Sequence, residues 1–235
     1  FACNRKGALY FVKPKADFRL LLHTMVNGSS EMVNNLSTSV TTFLFNIIMM
    51  QLVGEHGVAA ITILLYGQFL FNAFYLGFTI GISPIVGFQY GAGDKQKLRN
   101  IYHTSFLFVA VSSVFMAVIA IVLSPTIVTI FTDDPATYEL AAVGFRLFAI
   151  NFLFSGISIT SSGFFTALSN GTISAVISFC RTLGFIVLSL LILPKFLGIT
   201  GAWIAIPVAE FCTLLVTGVM HLVYFWKPGI RNYLR

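Results

Sequence analysis

Six long apolar runs, separated by short polar breaks, leave this chain few ways to fold. They lie near residues 32–53, 58–85, 102–123, 136–168, 172–193 and 202–225. A helix needs roughly 20 apolar residues to cross a hydrocarbon layer about 30 Å thick. Backbone groups inside lipid must pair with each other, so only helices or a closed barrel can span it. The runs are continuous and do not alternate in ten-residue strands, so helices are expected. Composition agrees: 57% of residues are hydrophobic, 9% are charged and the mean hydropathy is +0.90. A soluble domain carries about 25% charged residues, and this chain has too few to coat a water-facing surface. The expected fold class is all-α, a polytopic membrane protein of six transmembrane helices.

The flanks differ from the runs. Residues 1–30 are mixed and basic, with a Lys13-Pro14-Lys15 linker. Phe18, Leu21, Leu22 and Met25 then fall on one helical face, which suits a short helix on the membrane surface. The expected organisation is a cytoplasmic linker and surface helix over 1–30, a six-helix domain over 31–226 and a basic cytoplasmic tail over 227–235. The chain starts at Phe1, not Met, and its first ten residues lack a signal-peptide pattern; it reads as the interior of a longer protein. Cys180 and Cys212 sit inside apolar runs, and the three cysteines have no metal-ligand spacing.

The formal charge of +6 reflects loop chemistry, with no nucleic-acid partner expected, because cytoplasmic loops of membrane proteins are rich in Lys and Arg. If the N-terminal segment is cytoplasmic, alternation places Arg5, Lys6, Lys13, Lys15, Arg19, Lys95, Lys97, Arg99, Lys227, Arg231 and Arg235 on that side. The opposite side has only Lys195, with Glu55, Asp133 and Asp134. That asymmetry also supports an even number of spans.

Several runs carry polar residues at helical spacing. Glu31, Asn35, Thr38, Thr42 and Asn46 form a stripe about 22 Å long at helical rise. Gln68, Asn72, Tyr75 and Thr79 form another, as do Asn151, Ser155, Ser158, Ser162 and Thr166, the shorter set Ser174, Ser178 and Arg181, and Glu210, Thr213, Thr217 and His221. For Ser and Thr the favoured reading is close helix packing. For Asn and Gln, packing and a water-filled cavity stand level, since a large amide needs several partners. A charge at bilayer depth costs at least ~2.5–3.5 kcal/mol on insertion scales, so Arg146, Arg181 and Glu210 are expected to face the bundle interior or a cavity. Arg181 is read as structural, since Arg does not deprotonate. Glu210 is either half of an ion pair or an ion-coupling carboxylate, which can take up and release a proton. Glu31 sits at the cytoplasmic edge of its run. A minority of the 25 Phe residues could face a cavity, where ring faces attract organic cations. No phosphate-binding glycine loop with its lysine, zinc-binding His-Glu-x-x-His or nucleophile elbow occurs, so no enzyme activity or cofactor is expected.

Longer motifs carry a resemblance. Pro84-Ile85-Val86-Gly87-Phe88-Gln89-Tyr90-Gly91-Ala92-Gly93 before a basic helix, Phe131-Thr132-Asp133-Asp134-Pro135, Ser162-Gly163-Phe164-Phe165-Thr166-Ala167-Leu168 followed by Arg181, and Gly201-Ala202-Trp203-Ile204-Ala205-Ile206-Pro207-Val208-Ala209-Glu210 stand in one order. Together they resemble the C-terminal half of MATE (multidrug and toxic compound extrusion) transporters, helices seven to twelve, over nearly all of residues 13–225. The resemblance implies two six-helix lobes around a central cleft, the partner lobe being the missing N-terminal one. It further implies export of small cationic amphipathic compounds in exchange for H+ or Na+ by alternating access in a plasma (inner) membrane. Many members carry a carboxylate deep in helix seven and another in helix ten. Here those positions hold Thr38 and Ser155, which do not ionise. The coupling acids then lie in the other lobe, or Glu31 and Glu210 take their place. Cleft residues are expected to be Glu31, Asn35, Gln68, Asn72, Asn151 and Glu210. The rivals are a lipid-linked oligosaccharide flippase of the same superfamily and a non-transporting membrane scaffold.

Overall fold

The computed structural model describes residues 17–226, and every regular element among them is helical. The expected linker and tail at the two ends, and the side chain of Glu31, lie outside the described residues.

Helix α1 (Phe18–Leu52) starts where the Asp17 carboxylate accepts the N–H groups of Arg19 at 3.0 Å and Leu20 at 3.1 Å, which satisfies donors left open in a first turn. The expected surface helix and first span are thus one continuous helix. Gly54, at φ 83°, turns the chain into α2 (Glu55–Gly91). Asp94 then caps α3 (Lys95–Phe131) by accepting the Lys97 N–H at 3.0 Å. The basic stretch 95–100 is therefore the start of a helix, in keeping with the basic helix read after Gly93. Asp134 caps α4 (Pro135–Phe148), which passes through a 3-10 turn (Ala149–Asn151) into α5 (Phe152–Ala167). Ser169, at φ 57°, and the capping Asn170 make the tight turn before α6 (Gly171–Phe179). A π-helical turn (Cys180–Gly184) leads into α7 (Phe185–Trp226).

Four stretches are long and apolar enough to cross a membrane: Glu55–Gly91, Lys95–Phe131, Pro135–Ala167 and Gly171–Tyr224. The last holds 54 residues, far more than the roughly 20 a crossing needs. It doubles back at Gly198, whose φ of 56° and ψ of −134° are non-helical. Distance proves the reversal: an unbroken helix would set Arg181 and Glu210 about 43 Å apart, yet their charged ends lie 3.8 Å apart. The stretch is therefore the fifth and sixth spans joined. Helix α1 falls outside the set because its polar stripe lowers its hydropathy. It packs against α2, α6 and α7 as the remaining member of the six-helix bundle.

The surface is apolar where a soluble protein's would be polar. Ile80, Phe88, Ile130 and Phe196 are each more than 70% exposed, as a lipid-facing shell requires. Inside, one cluster centres on Phe45, Leu64, Phe145, Phe152 and Trp203. A second, near the opposite end, holds Val86, Leu98, Phe164, Phe165 and Tyr224. Lipid is as apolar as these side chains, so fit between helices drives their association. Glycines permit that fit. A Cβ on Gly144 would meet the Trp203 ring at 2.9 Å, and one on Gly163 would overlap the Thr79 methyl.

The Ser and Thr residues of α5 and α6, and Thr79 of α2, serve packing, as expected. The Ser162 hydroxyl lies 2.8 Å from that of Ser174 and 2.9 Å from that of Ser178, and Thr166 lies 2.7 Å from Ser174; this cluster stitches α5 to α6. Tyr75 donates to the Phe152 carbonyl at 3.2 Å and Thr79 to Thr160 at 3.4 Å, joining α2 to the fourth span. His221 bridges Tyr102 at 3.2 Å and Ser161 at 3.0 Å. Arg146 departs from expectation: it stands exposed in the last turn of α4, not in the bundle interior. Its residue count into the span suggested depth, but the helix turns it outward.

Two outcomes follow for the full-length protein in detergent. Gly144→Val forces a branched side chain against Trp203 and should cost about 1–3 kcal/mol, read as a lower unfolding temperature. Gly218→Ala, with open space around it, should be neutral or stabilising; equal losses would contradict the packing. The second concerns Asp134. The hydroxyl and N–H of Thr137 donate to its carboxylate at 2.6 and 2.9 Å, and His56 stands 2.9 Å away. Thr137's two bonds, then His56, hold its carboxyl below its ordinary value of 3.8. A lowered folded value stabilises above the unfolded value and is lost as pH falls through the folded one. The stability gap between parent and Asp134→Ala should therefore be full at neutral pH and close below that ordinary value; a gap independent of pH would contradict the cap.

Candidate functional site

One face of the bundle opens into a cavity of about 410 Å³. Its longest wall is the polar side of α1, where Asn34, Asn35, Ser37, Thr38, Thr41 and Thr42 line it. Across from them, α2 contributes Gln68 and Asn72 with the apolar Leu65, Phe69 and Leu76. Arg181 and Thr182 enter from the π-helical turn, and Glu210 comes from the returning arm of α7. The lining is thus an amide and hydroxyl wall, an apolar wall and one pair of opposite charges.

Local structure explains the wall on α1. The hydroxyl of Thr38 donates to the carbonyl of Asn34 at 3.0 Å, and that of Thr42 to the carbonyl of Thr38 at 2.9 Å. A hydroxyl bonded to its own helix needs no second helix, so these residues can border open space. Thr41 instead donates to the Thr182 carbonyl at 3.4 Å and ties α1 to the π-turn. Asn72 both lines the cavity and accepts from Ser155 at 3.4 Å, so packing and cavity are joint roles for that amide.

The charged pair is buried and poorly matched. Glu210 is 2% exposed and the Arg181 side chain 15%. Arg181 Nη1 stands 3.8 Å from Glu210 Oε1, beyond hydrogen-bond reach. Neither Arg181 Nη1 nor Glu210 Oε2 has a hydrogen-bond partner among the described residues, and the same holds for Asn34 Oδ1 on the facing wall. A π-turn carries an extra residue per turn, and such turns are frequent at functional sites. Arg181 lies within this turn and borders the cavity.

The expected cleft residues divide. Asn35, Gln68, Asn72 and Glu210 line this one cavity. Glu31 falls in α1, with its side chain outside the described residues. Asn151 does not line the cavity: it is fully buried in the 3-10 turn, which brings the Phe148 carbonyl three residues back within reach of its amide, and it donates there at 2.6 Å. Asn34, Ser37 and Thr41 line the cavity although the sequence stripe on α1 omits them. Their own spacing of three and four residues runs beside that stripe and is the signal that could have found them. Arg181, read as structural, also borders the cavity. Among the described residues no cluster of His, Cys, Asp and Glu could hold a metal ion.

Comparison with known proteins agrees with this architecture. Human multidrug and toxin extrusion protein 1 is 28% identical over 143 residues, covering 59% of this chain and 24% of the human protein. A variant of a Vibrio cholerae MATE transporter superposes with a TM-score of 0.83 at 17% identity, over 94% of this chain and 50% of that one. A MOP superfamily transporter from Pyrococcus furiosus, described as having a binding pocket of reversed polarity, superposes with a TM-score of 0.80 at 20% identity, over 92% and 49%. The chain thus spans about half the length of these solved transporters. The MatE family model matches residues 32–191, more than half of the sequence, and the chain is a multi-pass membrane protein that belongs to the MatE family.

Proposed function

We propose that this chain is the C-terminal lobe of a cation-coupled antiporter that exports small cationic amphipathic compounds by alternating access. The observation that carries the proposal is the cavity: a polar wall, an apolar wall and a carboxylate 2% exposed whose Oε2 has no hydrogen-bond partner among the described residues. An amphipathic cation needs those features together, namely apolar area for its body and a negative group for its charge. The kinship to multidrug and toxin extrusion proteins supports it.

In this reading Glu210 exchanges the coupling ion, H+ or Na+, with the substrate cation. Asn35, Gln68 and Asn72 hydrogen-bond the substrate or its water. Glu31 assists at the cytoplasmic edge of α1, on the grounds of its place in the stripe. Asn151 is assigned no part, since it is buried against its own turn. The N-terminal lobe closes the cleft, and rocking of the lobes exposes it to either side. The excess of Lys and Arg in the segments that alternation of spans puts on one side supports an inner-membrane orientation with both ends of this chain cytoplasmic.

A flippase for anionic lipid-linked cargo is the second reading, favoured by Arg181 in the cavity lining. Glu210 beside it offsets that charge, which favours cationic cargo. Transport measurements separate the two. In vesicles with the full-length protein, Glu31→Gln and Glu210→Gln together should reduce export of tetraphenylphosphonium by about tenfold or more, within the range of coupling between linked sites. Unchanged export would remove the coupling role. Transport of an anionic lipid headgroup analogue in place of the cation would favour the flippase.

A further inference from the structure

We propose that Arg181 is a tethered competitor of the transported cation: it neutralises Glu210 while the cavity is empty and gives up that place when a substrate cation enters. The inference rests on the reading of Glu210 as the cation-binding carboxylate and deepens it by assigning a specificity-determining role to a second residue.

The geometry describes a pair held near each other without being locked. A guanidinium beside a carboxylate commonly forms two short parallel hydrogen bonds. Here the approach is 3.8 Å and no hydrogen bond forms between the two groups. Arg181 Nη1 and Glu210 Oε2 both lack a hydrogen-bond partner among the described residues, so neither side chain gains all it could from the other. Both line the cavity, so an entering ligand meets them together. Burial makes this consequential. Removing charges from water costs about as much as their mutual attraction returns, so a buried pair with incomplete hydrogen bonding opens at small net cost if a new cation takes the vacated place.

The π-helical turn supplies the means. Arg181 sits within Cys180–Gly184, where the regular ladder is already interrupted. Thr41 holds the neighbouring Thr182 carbonyl, which fixes the backbone beside it while the long Arg side chain keeps its rotamers. A displaced guanidinium also has somewhere to go. Asn34 Oδ1, an acceptor without a hydrogen-bond partner, lines the same cavity, as do Ser37, Gln68 and Asn72. The exchange swaps one cation for another at the carboxylate, so the local charge rises only by that of the incoming ligand. The cavity then rewards a ligand whose cation approaches Glu210 more closely than Arg181 does.

Equilibrium binding of tetraphenylphosphonium to purified full-length protein in alkaline buffer tests this. Arg181→Met keeps much of the side chain's length and removes its charge. If Arg181 competes, the variant should bind about tenfold more tightly than the parent, and Arg181→Lys should stay within about twofold of it, since a close charge pair couples by at least that much. Glu210→Gln should weaken binding in the parent and in the Arg181→Met background. If Arg181→Met binds equally or more weakly while Glu210→Gln still weakens binding, Arg181 is only structural and the inference falls with the reading of Glu210 intact. If Glu210→Gln leaves binding unchanged, the reading of Glu210 falls and takes the inference with it. Should Arg181→Met fail to fold, Arg181→Gln in the same measurement should likewise bind more tightly, and a parent-like affinity there would overturn the inference.

Discussion

Hydrocarbon cannot solvate a polar side chain, so every polar group within the bundle must meet another group of the protein or an aqueous opening. That constraint arranges this chain. The outer shell is given over to Phe, Leu, Ile and Val, while hydroxyls, amides and the buried charges turn inward. Where two polar faces meet, as between α5 and α6, hydroxyl pairs at 2.7–2.9 Å knit the helices. Where α1 faces the open side of the bundle, the polar face borders a cavity. One physical demand thus produces both the packing of the lobe and its candidate site. The chain's own reversal at Gly198 brings Arg181 and Glu210 together.

Much of this architecture is legible in the sequence. Apolar runs mark where the chain crosses lipid, because length and hydropathy are local properties. Helix ends are harder to place. Lys95–Asn100 lies outside the apolar run read from residue 102, yet it forms the first turns of the same helix α3, since charged side chains at the membrane edge reach water without ending a helix. The join at Gly198 falls in the break read between the fifth and sixth runs, though the residue that makes the turn is not singled out by hydropathy. Arg146 illustrates another limit, because counting residues into a span says nothing about which way the side chain points.

The candidate site is legible in its residue types and less so in its membership. Periodicity groups Asn35, Thr38 and Thr42, but adjacent positions on a helix lie about 100° apart, and the cavity is wide enough to reach Asn34, Ser37 and Thr41 as well. Asn151 has the chemistry of a cleft residue, yet the 3-10 turn gives its amide a backbone carbonyl at 2.6 Å. Arg181, grouped with Ser174 and Ser178 by helical spacing, does border the cavity, but the π-turn that carries it has no signal in that spacing. Among the described residues a buried acid stands on α7, at Glu210.

Packing, cavity and proposed transport all require a polar side of α1 that meets water while its other faces meet lipid or protein. A scan of single cysteines in the full-length protein, freed of its native cysteines and treated in membranes with a water-soluble maleimide, addresses that directly. Cysteines at Asn35, Thr38 and Thr42 should react, while those at Leu36 and Phe43 on the lipid side and at Ser158 in the packed interior should not. Silence at the first three positions, or labelling as strong at Leu36 and Phe43, would contradict a water-filled cleft on this face.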